Sequence, residues 1–411
     1  MTLDVMLAAV GALGVLVAAL SARIRRLPVS EPLLGLLAGV LLGPAVLGAL
    51  DLPPVTRDHA TLHEVAELLL AVSVMGVALR YPFVDVRRRL TPVVVLLVVA
   101  MPLMALVTTG LAAGVLGLSV TAALLLGTAL SPTDPVLASS VVTGEAAERD
   151  LPERARQVLS LESGANDGLA LPLVLVALAF AGPMTGTAAA TETAWQVLGA
   201  VALGALAGGL GGRALRLGEE HGATAHGPML LFTIVLAAAV LGLSGLLHLD
   251  GVLAVFAAGL AFNFVSTGRE RTSEVEIDEA VNRFAVLPMF VLVGATIPWA
   301  AWGDLGWAGP ALVVAVLLLR RLPVLLLLKR PLRMSWSEAA YLGWFGPVGV
   351  AAVFYLTLEA KRLGLPTEVL AAGTMVVVAS TVAHGVTAAP GRMLYRRLSP
   401  GARESAAAEQ G

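Results

Sequence analysis

Long apolar runs dominate the chain. Each is close to the length of a bilayer-crossing helix, and short polar connections separate them. Thirteen such stretches run approximately over residues 3–22, 28–50, 64–80, 91–116, 119–143, 154–181, 192–214, 227–247, 249–265, 281–301, 308–328, 336–360 and 367–390. A helix rises about 1.5 Å per residue, so about 20 apolar residues cross a hydrocarbon core about 30 Å thick. The pattern therefore predicts an all-α membrane protein with about 13 transmembrane helices. The separator His248-Leu249-Asp250-Gly251 is so short that twelve is an alternative count. The fifth, twelfth and thirteenth stretches carry proline, glycine or polar interruptions.

Composition agrees with the pattern: of 411 residues, 57% are hydrophobic and only 14% charged. A soluble chain of this size cannot bury so much apolar surface. Cysteine is absent, which excludes disulfides and thiolate metal sites. Met1 to Leu20 lacks a basic leading segment and a small-residue cleavage site, so it reads as a first span. Residues 1–398 then form the membrane domain, and 399–411 a short polar tail expected to be disordered and cytoplasmic.

Most of the 27 basic residues fall in alternate connections: Arg23 to Arg26, Arg80 to Arg89, Arg149 to Arg156, Arg213 and Arg216, Arg269 to Arg283, Lys329 to Arg333, and the tail. The opposite connections hold only Arg57, Lys361 and Arg362. The positive-inside rule puts the N-terminus outside and the C-terminus in the cytoplasm, and Trp299, Trp302 and Trp307 then fall in an outer connection. Arg87, Arg88 and Arg89 serve as a membrane anchor, with no nucleic-acid partner implied. Gly208, Gly209, Gly211 and Gly212 lie within a span and are followed by no Walker lysine, so they suit close helix packing better than nucleotide binding.

The candidate chemistry lies between Gln157 and Pro172, where Glu162, Ser163, Asn166 and Asp167 interrupt an apolar run. Helical spacing puts Ser163 with Asp167 on one face and Glu162 with Asn166 on another, about 100° away. An intramembrane carboxylate costs roughly 2.5–3.5 kcal/mol on insertion scales, so it faces a cavity or a partner. Such a group can hold either a charge or a proton. Arg320 and Arg321 sit late in the eleventh stretch; Arg320 is the expected partner of Glu162, with Arg321 snorkelling to an interface.

In the fifth stretch, Pro132 and Pro135 flank Thr133 and Asp134 and must unwind the helix. Asp134 would cap the half-helix beyond, while carbonyls near Thr133 face a cation. Gly346, Pro347 and Gly349 break the twelfth stretch, and Ser380, Thr381 and His384 make the thirteenth polar. A break in the fifth span before a polar sixth thus matches a break in the twelfth before a polar thirteenth. Such correspondence predicts inverted repeats, approximately 1–182 and 227–390, with 192–214 as linker and a site at the midplane. His384 reads as a buried, hydrogen-bonded histidine in preference to a ligand.

Together these residues resemble the cation:proton antiporter-1 family, the bacterial sodium/proton antiporters related to animal sodium/hydrogen exchangers. The resemblance covers nearly the whole chain: Pro28 to Pro44, Thr133-Asp134-Pro135, the run from Glu162 to Gly168, Asp250 to Gly259, Arg320 with Val324, Gly343 to Gly349, and His384-Gly385. It implies that Asp167 is the titrating carboxylate and cation ligand, that Asp134, Ser163 and Thr133 complete the site for a transported monovalent cation, that Asn166 orients the crossing, and that Glu162 pairs with Arg320. Two departures stand out: Val348 replaces an arginine that many relatives carry, and Asp250 stands where relatives often have serine.

The implied activity is exchange of Na⁺, or Li⁺, for H⁺ by a homodimer in the cell membrane. No enzymatic step or cofactor is implied. With asparagine at 166, exchange is expected to be electroneutral. A potassium/proton antiporter is the nearest alternative. An intramembrane aspartyl hydrolase could use Asp134 with Asp167 but leaves the twelfth-span break and the eleventh-span arginine unexplained. A channel has little use for an aspartate that must protonate.

Overall fold

A computed structural model describes residues 2–20, 30–182, 186–221, 231–266 and 286–399. The described residues are helical and connecting segments, with no strand among them. In chain order the main helices are α1 (Thr2–Ala19), α2 (Glu31–Leu42), α3 (Ala60–Arg80), α4 (Phe83–Leu116), α5 (Val120–Ala129), α6 (Pro135–Val142) and α7 (Glu153–Ala181). After them come α8 (Gly186–Glu220), α9 (Phe232–Leu246), α10 (Gly251–Val265), α11 (Val286–Ala295), α12 (Ala308–Leu328), α13 (Trp336–Trp344), α14 (Val350–Leu363) and α15 (Thr367–Leu398). Among the described residues six of these, α3, α4, α7, α8, α12 and α15, are each long and apolar enough to cross a membrane.

The eighth and ninth apolar stretches are separate helices. The chain leaves α9 at Leu247, and His248 takes a positive φ of 55°. Asp250 then caps α10 by accepting from the Leu253 amide at 2.9 Å. Without that turn the two runs would read as one span.

Packing follows the small-residue logic of membrane helices, where close backbone approach replaces a hydrophobic drive. The helix α8 lies along α10, and a Cβ on Gly208 would overlap the Ala258 carbonyl oxygen. Gly209 makes no such approach, so only part of the glycine cluster carries the contact. Large apolar side chains remain on the outside, among them Leu198, Leu206, Val314, Leu327 and Trp307, as a lipid-facing surface requires.

The connections sort into two ends. At one, the Arg154 guanidinium donates to the backbone carbonyls of Leu332 and Arg333, and Arg396 pairs with Asp150 at 3.0 Å. At the other, Arg362 pairs with Glu192 at 3.1 Å, and the Trp195 indole donates to the Leu247 carbonyl. The arginine-rich connections around 150, 332 and 396 therefore meet at one end. Arg23, Arg25, Arg26, Arg269, Arg271, Arg283 and the tail beyond Ser399 lie outside the described residues.

Candidate functional site: two broken helices against a polar helix

The helical path lapses over residues 130–134, between α5 and α6, and again over 345–349, between α13 and α14. Proline chemistry accounts for the first lapse. Pro132 and Pro135 have no N–H to give, and Pro135 opens α6, where a missing donor is tolerated. The two lapses touch: the Asp134 amide donates to the Pro347 carbonyl at 2.9 Å. Gly349 makes the contact feasible, because a Cβ there would overlap the Asp134 carboxylate.

Unwinding leaves four helix ends in the interior, and two charged side chains satisfy them. Asp134, fully buried, turns Oδ1 to the Leu137 amide of α6 at 2.9 Å and Oδ2 to the Val350 amide that opens α14. A carboxylate thus sits at two positive N-terminal ends. Arg320, 3% exposed, donates from Nη1 to the carbonyls of Leu130 (2.8 Å), Ser131 (3.1 Å) and Pro132 (3.3 Å), and from Nη2 to the Gly346 carbonyl. A cation thus sits at the two negative C-terminal ends, those of α5 and α13. In hydrocarbon each freed backbone group left unpaired costs several kcal/mol, which explains why charged side chains occupy the crossing.

Further polar groups complete the second break. The Val348 amide donates to Ser380 Oγ at 2.8 Å, Ser380 Oγ is 3.1 Å from His384 Nδ1, and His384 Nε2 is 2.9 Å from the Trp344 carbonyl. His384, 4% exposed, is a hydrogen-bonded structural histidine. The Val348 side chain is buried at this break.

The polar helix α7 lies against the crossing. Asn166 reads Thr133 with both ends of its amide: Oδ1 accepts from the Thr133 N–H at 3.1 Å, and Nδ2 donates to Thr133 Oγ1 at 2.8 Å. Its Nδ2 also donates to Glu162 Oε1 at 3.1 Å. Ser163 Oγ lies 3.0 Å from Thr133 Oγ1. Asn166 therefore fastens α7 to the first break. Glu162, Ser163, Asn166 and Asp167 are all fully buried.

Asp167 differs from its neighbours. Both of its carboxylate oxygens lack a hydrogen-bond partner. Its backbone carbonyl is held instead, by the Tyr355 hydroxyl of α14. Asp134 and Glu162 lie within electrostatic range of its carboxylate. A carboxylate held at zero exposure with no donor on either oxygen has the chemistry to accept a cation or a proton.

One sequence expectation is corrected. The partner of Glu162 is Arg321, not Arg320: Nη1 and Nη2 of Arg321 each lie 2.8 Å from one Glu162 oxygen. Arg320 and Arg321 form the short interruption of α12 between Leu319 and Leu322, both with αR backbone, so their side chains leave in different directions and only one faces α7. Arg320 is taken by the crossing, where it serves four carbonyls freed by the breaks. Arg321 does not snorkel; it is 2% exposed.

Sequence reasoning also passed over Tyr355 and Glu359. Glu359 is fully buried on α14, with Oε2 unpartnered and Oε1 3.4 Å from Thr128 Oγ1. Its i,i+4 spacing from Tyr355 on a mostly apolar helix was the available signal.

An all-helical membrane protein whose interrupted helices meet beside buried carboxylates is of the class of secondary transporters with discontinuous helices. More particularly, the chain belongs to the sodium/hydrogen exchanger family, whose transmembrane family model matches residues 12–391. It is 32% identical over 339 residues to Na(+)/H(+) antiporter 2 of Zygosaccharomyces rouxii, covering 77% of this chain and 41% of that one. The chain thus spans about two fifths of the length of this curated relative. A more distant relative is K(+)/H(+) antiporter NhaP2 of a Shewanella species, 25% identical over 313 residues, 75% of this chain and 53% of that one. The fold matches the sodium proton antiporter MjNhaP1 of Methanocaldococcus jannaschii at pH 8, with a TM-score of 0.76, 18% identity and coverage of 96% of this chain and 99% of the other.

Proposed function

We propose that the protein exchanges Na⁺, with Li⁺ as a second substrate, for H⁺ across the cell membrane, one for one, at Asp167. The observation that carries this reading is the Asp167 carboxylate, buried with both oxygens unpartnered while every neighbouring charge is committed elsewhere. Glu162 is held by Arg321, and Asp134 accepts from two helix ends. A proton or a dehydrated cation can satisfy Asp167, but not both at once, and that competition couples the two fluxes. Asp134, Ser163 and the Thr133 carbonyl complete the cation's ligands, and Asn166 keeps the crossing aligned without titrating.

The same reading takes the helices as thirteen spans with α5/α6 and α13/α14 as broken crossings. The repeats are approximately 1–182 and 227–390, joined by the linker span 192–214. It places the N-terminus outside, the C-terminus in the cytoplasm, and the working unit as a homodimer. Relatives named as sodium/proton antiporters support sodium, and the Shewanella relative makes potassium the alternative. The deciding experiment is dissipation of a pH gradient in proteoliposomes by Na⁺, Li⁺ and K⁺ in turn. Response to Na⁺ and Li⁺ supports the reading, response to K⁺ alone replaces it with potassium exchange, and no response to any cation overturns it.

A further inference from the structure

We propose that Asp250 and Glu67 form a second cation station, one step from Asp167 on the arginine-poor side of the molecule; this rests on the antiport reading above. Asp250 is 7% exposed and faces the amides of Leu253 and Val252 at the start of α10, its Oδ1 accepting from Leu253 at 2.9 Å. Its Oδ2 is buried without a hydrogen-bond partner. An N-cap needs one oxygen and no full charge, so serine or asparagine would serve α10 equally well. The second, unsatisfied oxygen therefore calls for another explanation.

The neighbours supply one. Leu253, whose amide Asp250 holds, lies directly on α7: a Cβ on Gly168 would be 2.8 Å from Leu253 Cα. Gly168 follows Asp167, so the two unsatisfied carboxylates flank a single close helix contact. Tyr355, which holds the Asp167 carbonyl, lies within electrostatic range of both acids. On the outer flank, Glu67 Oε1 of α3 is 3.6 Å from the position a Gly251 Cβ would take, beside Asp250.

The acids form a graded series, from exposed Glu64 through half-buried Glu67 and buried Asp250 to fully enclosed Asp167. Among the described residues no arginine or lysine forms an ion pair with Glu67 or Asp250. Lys361, exposed at the rim, acts on Glu67 only from a distance. Acids without counter-ions, ordered by depth, concentrate a small cation along a path. The ligand class is a partly dehydrated monovalent cation, held by two carboxylates before or after Asp167. His63 of α3, stacked on Phe354 and 3.0 Å from Thr357 Oγ1, packs α3 against α14 on the same side.

The test compares Asp250→Asn, Asp250→Ser and Asp250→Glu with the unaltered protein in sodium-driven proton flux. Asparagine and serine keep the cap and remove the charge, so each should raise the sodium KM at least about fivefold and leave the maximal rate within about twofold. Asp250→Glu should restore most of the affinity, and Glu67→Gln should raise KM by a smaller factor. Binding of ²²Na⁺ in detergent gives an independent readout: Asp167→Asn should keep a weak site that Asp167→Asn/Asp250→Asn loses.

An unchanged KM in Asp250→Asn, with normal exchange by the unaltered protein, overturns the station and leaves the antiport reading standing. A lowered melting temperature with unchanged KM reduces Asp250 to a cap. A shifted pH profile at constant sodium KM shows a carboxyl pair sharing a proton, which also overturns the cation site. No exchange by the unaltered protein removes both proposals together.

Discussion

Glu162 and Arg321 meet through two parallel hydrogen bonds of 2.8 Å each, across 159 residues of sequence and with neither side chain more than 3% exposed. The fork geometry of guanidinium matches a carboxylate on both oxygens, which a lysine at 321 could not reproduce. The pair ties α7 to the middle of α12. It also removes Glu162 from competition with Asp167, two residues of different fate on one helix.

Breaking this pair should destabilise the protein more than replacing it. Glu162→Gln and Arg321→Gln each leave an uncompensated buried charge, worth about 3–5 kcal/mol. The double change should cost less than the two added together. Thermal melts in detergent check this, and strict additivity would show that the two do not interact.

Arg320→Gln should be damaging for a different reason. It strips donors from the carbonyls of Leu130, Ser131, Pro132 and Gly346. Its coupling to Glu162→Gln should be much smaller than that of Arg321→Gln, because Arg320 shares no hydrogen bond with Glu162 and feels it only through space. The measurement is the same melt applied to the pair Glu162→Gln/Arg320→Gln, and a large coupling energy would contradict the division of labour between the arginines.

On the proposal that one carboxylate carries both ions, Asp167→Asn should abolish cation-driven proton flux, by about a hundredfold or more. The fold should persist, because neither carboxylate oxygen holds another group in place. Retained flux would sink the assignment of Asp167, while loss of flux with a collapsed melt would point to structure instead.

Gly349→Ala tests the closeness of the crossing. The added methyl overlaps the Asp134 carboxylate and must displace the cap of α14 or of α6, so a loss of about 1–3 kcal/mol is expected. Asp134→Ala removes both caps and should cost about 1–4 kcal/mol. Asp134→Asn should retain part of that stability. An Asp134→Ala protein as stable as the original would deny the double-cap role.

Electroneutral exchange predicts indifference to membrane voltage. One net charge moved per cycle would couple to about 2.3 kcal/mol per 100 mV. A potassium diffusion potential set with valinomycin, followed by sodium-driven proton flux, reads this directly. Strong acceleration or slowing with the sign of the potential would show a second carboxylate cycling, with Asp134 and the buried Glu359 as the groups to examine.

Sequence by itself determined the class, the succession of apolar helices and the polar helix. Apolar run length and helical spacing are local properties, and a proline announces a break wherever it falls in a span. Hence Pro132, Pro135 and the Gly346–Gly349 segment marked both interruptions, and the spacing of Glu162, Ser163, Asn166 and Asp167 marked α7. Only tertiary structure decided which arginine meets Glu162. Arg320 and Arg321 are chemically identical neighbours at the interruption of α12, and its packing against α5, α7 and α13 sends one to the carbonyls of the two breaks and the other to the acid and the Leu342 carbonyl. The double capping by Asp134 and the contact of Gly168 with Leu253, the residue whose amide Asp250 caps, are likewise long-range facts. Each depends on how helices distant in the chain pack together, which no local spacing encodes.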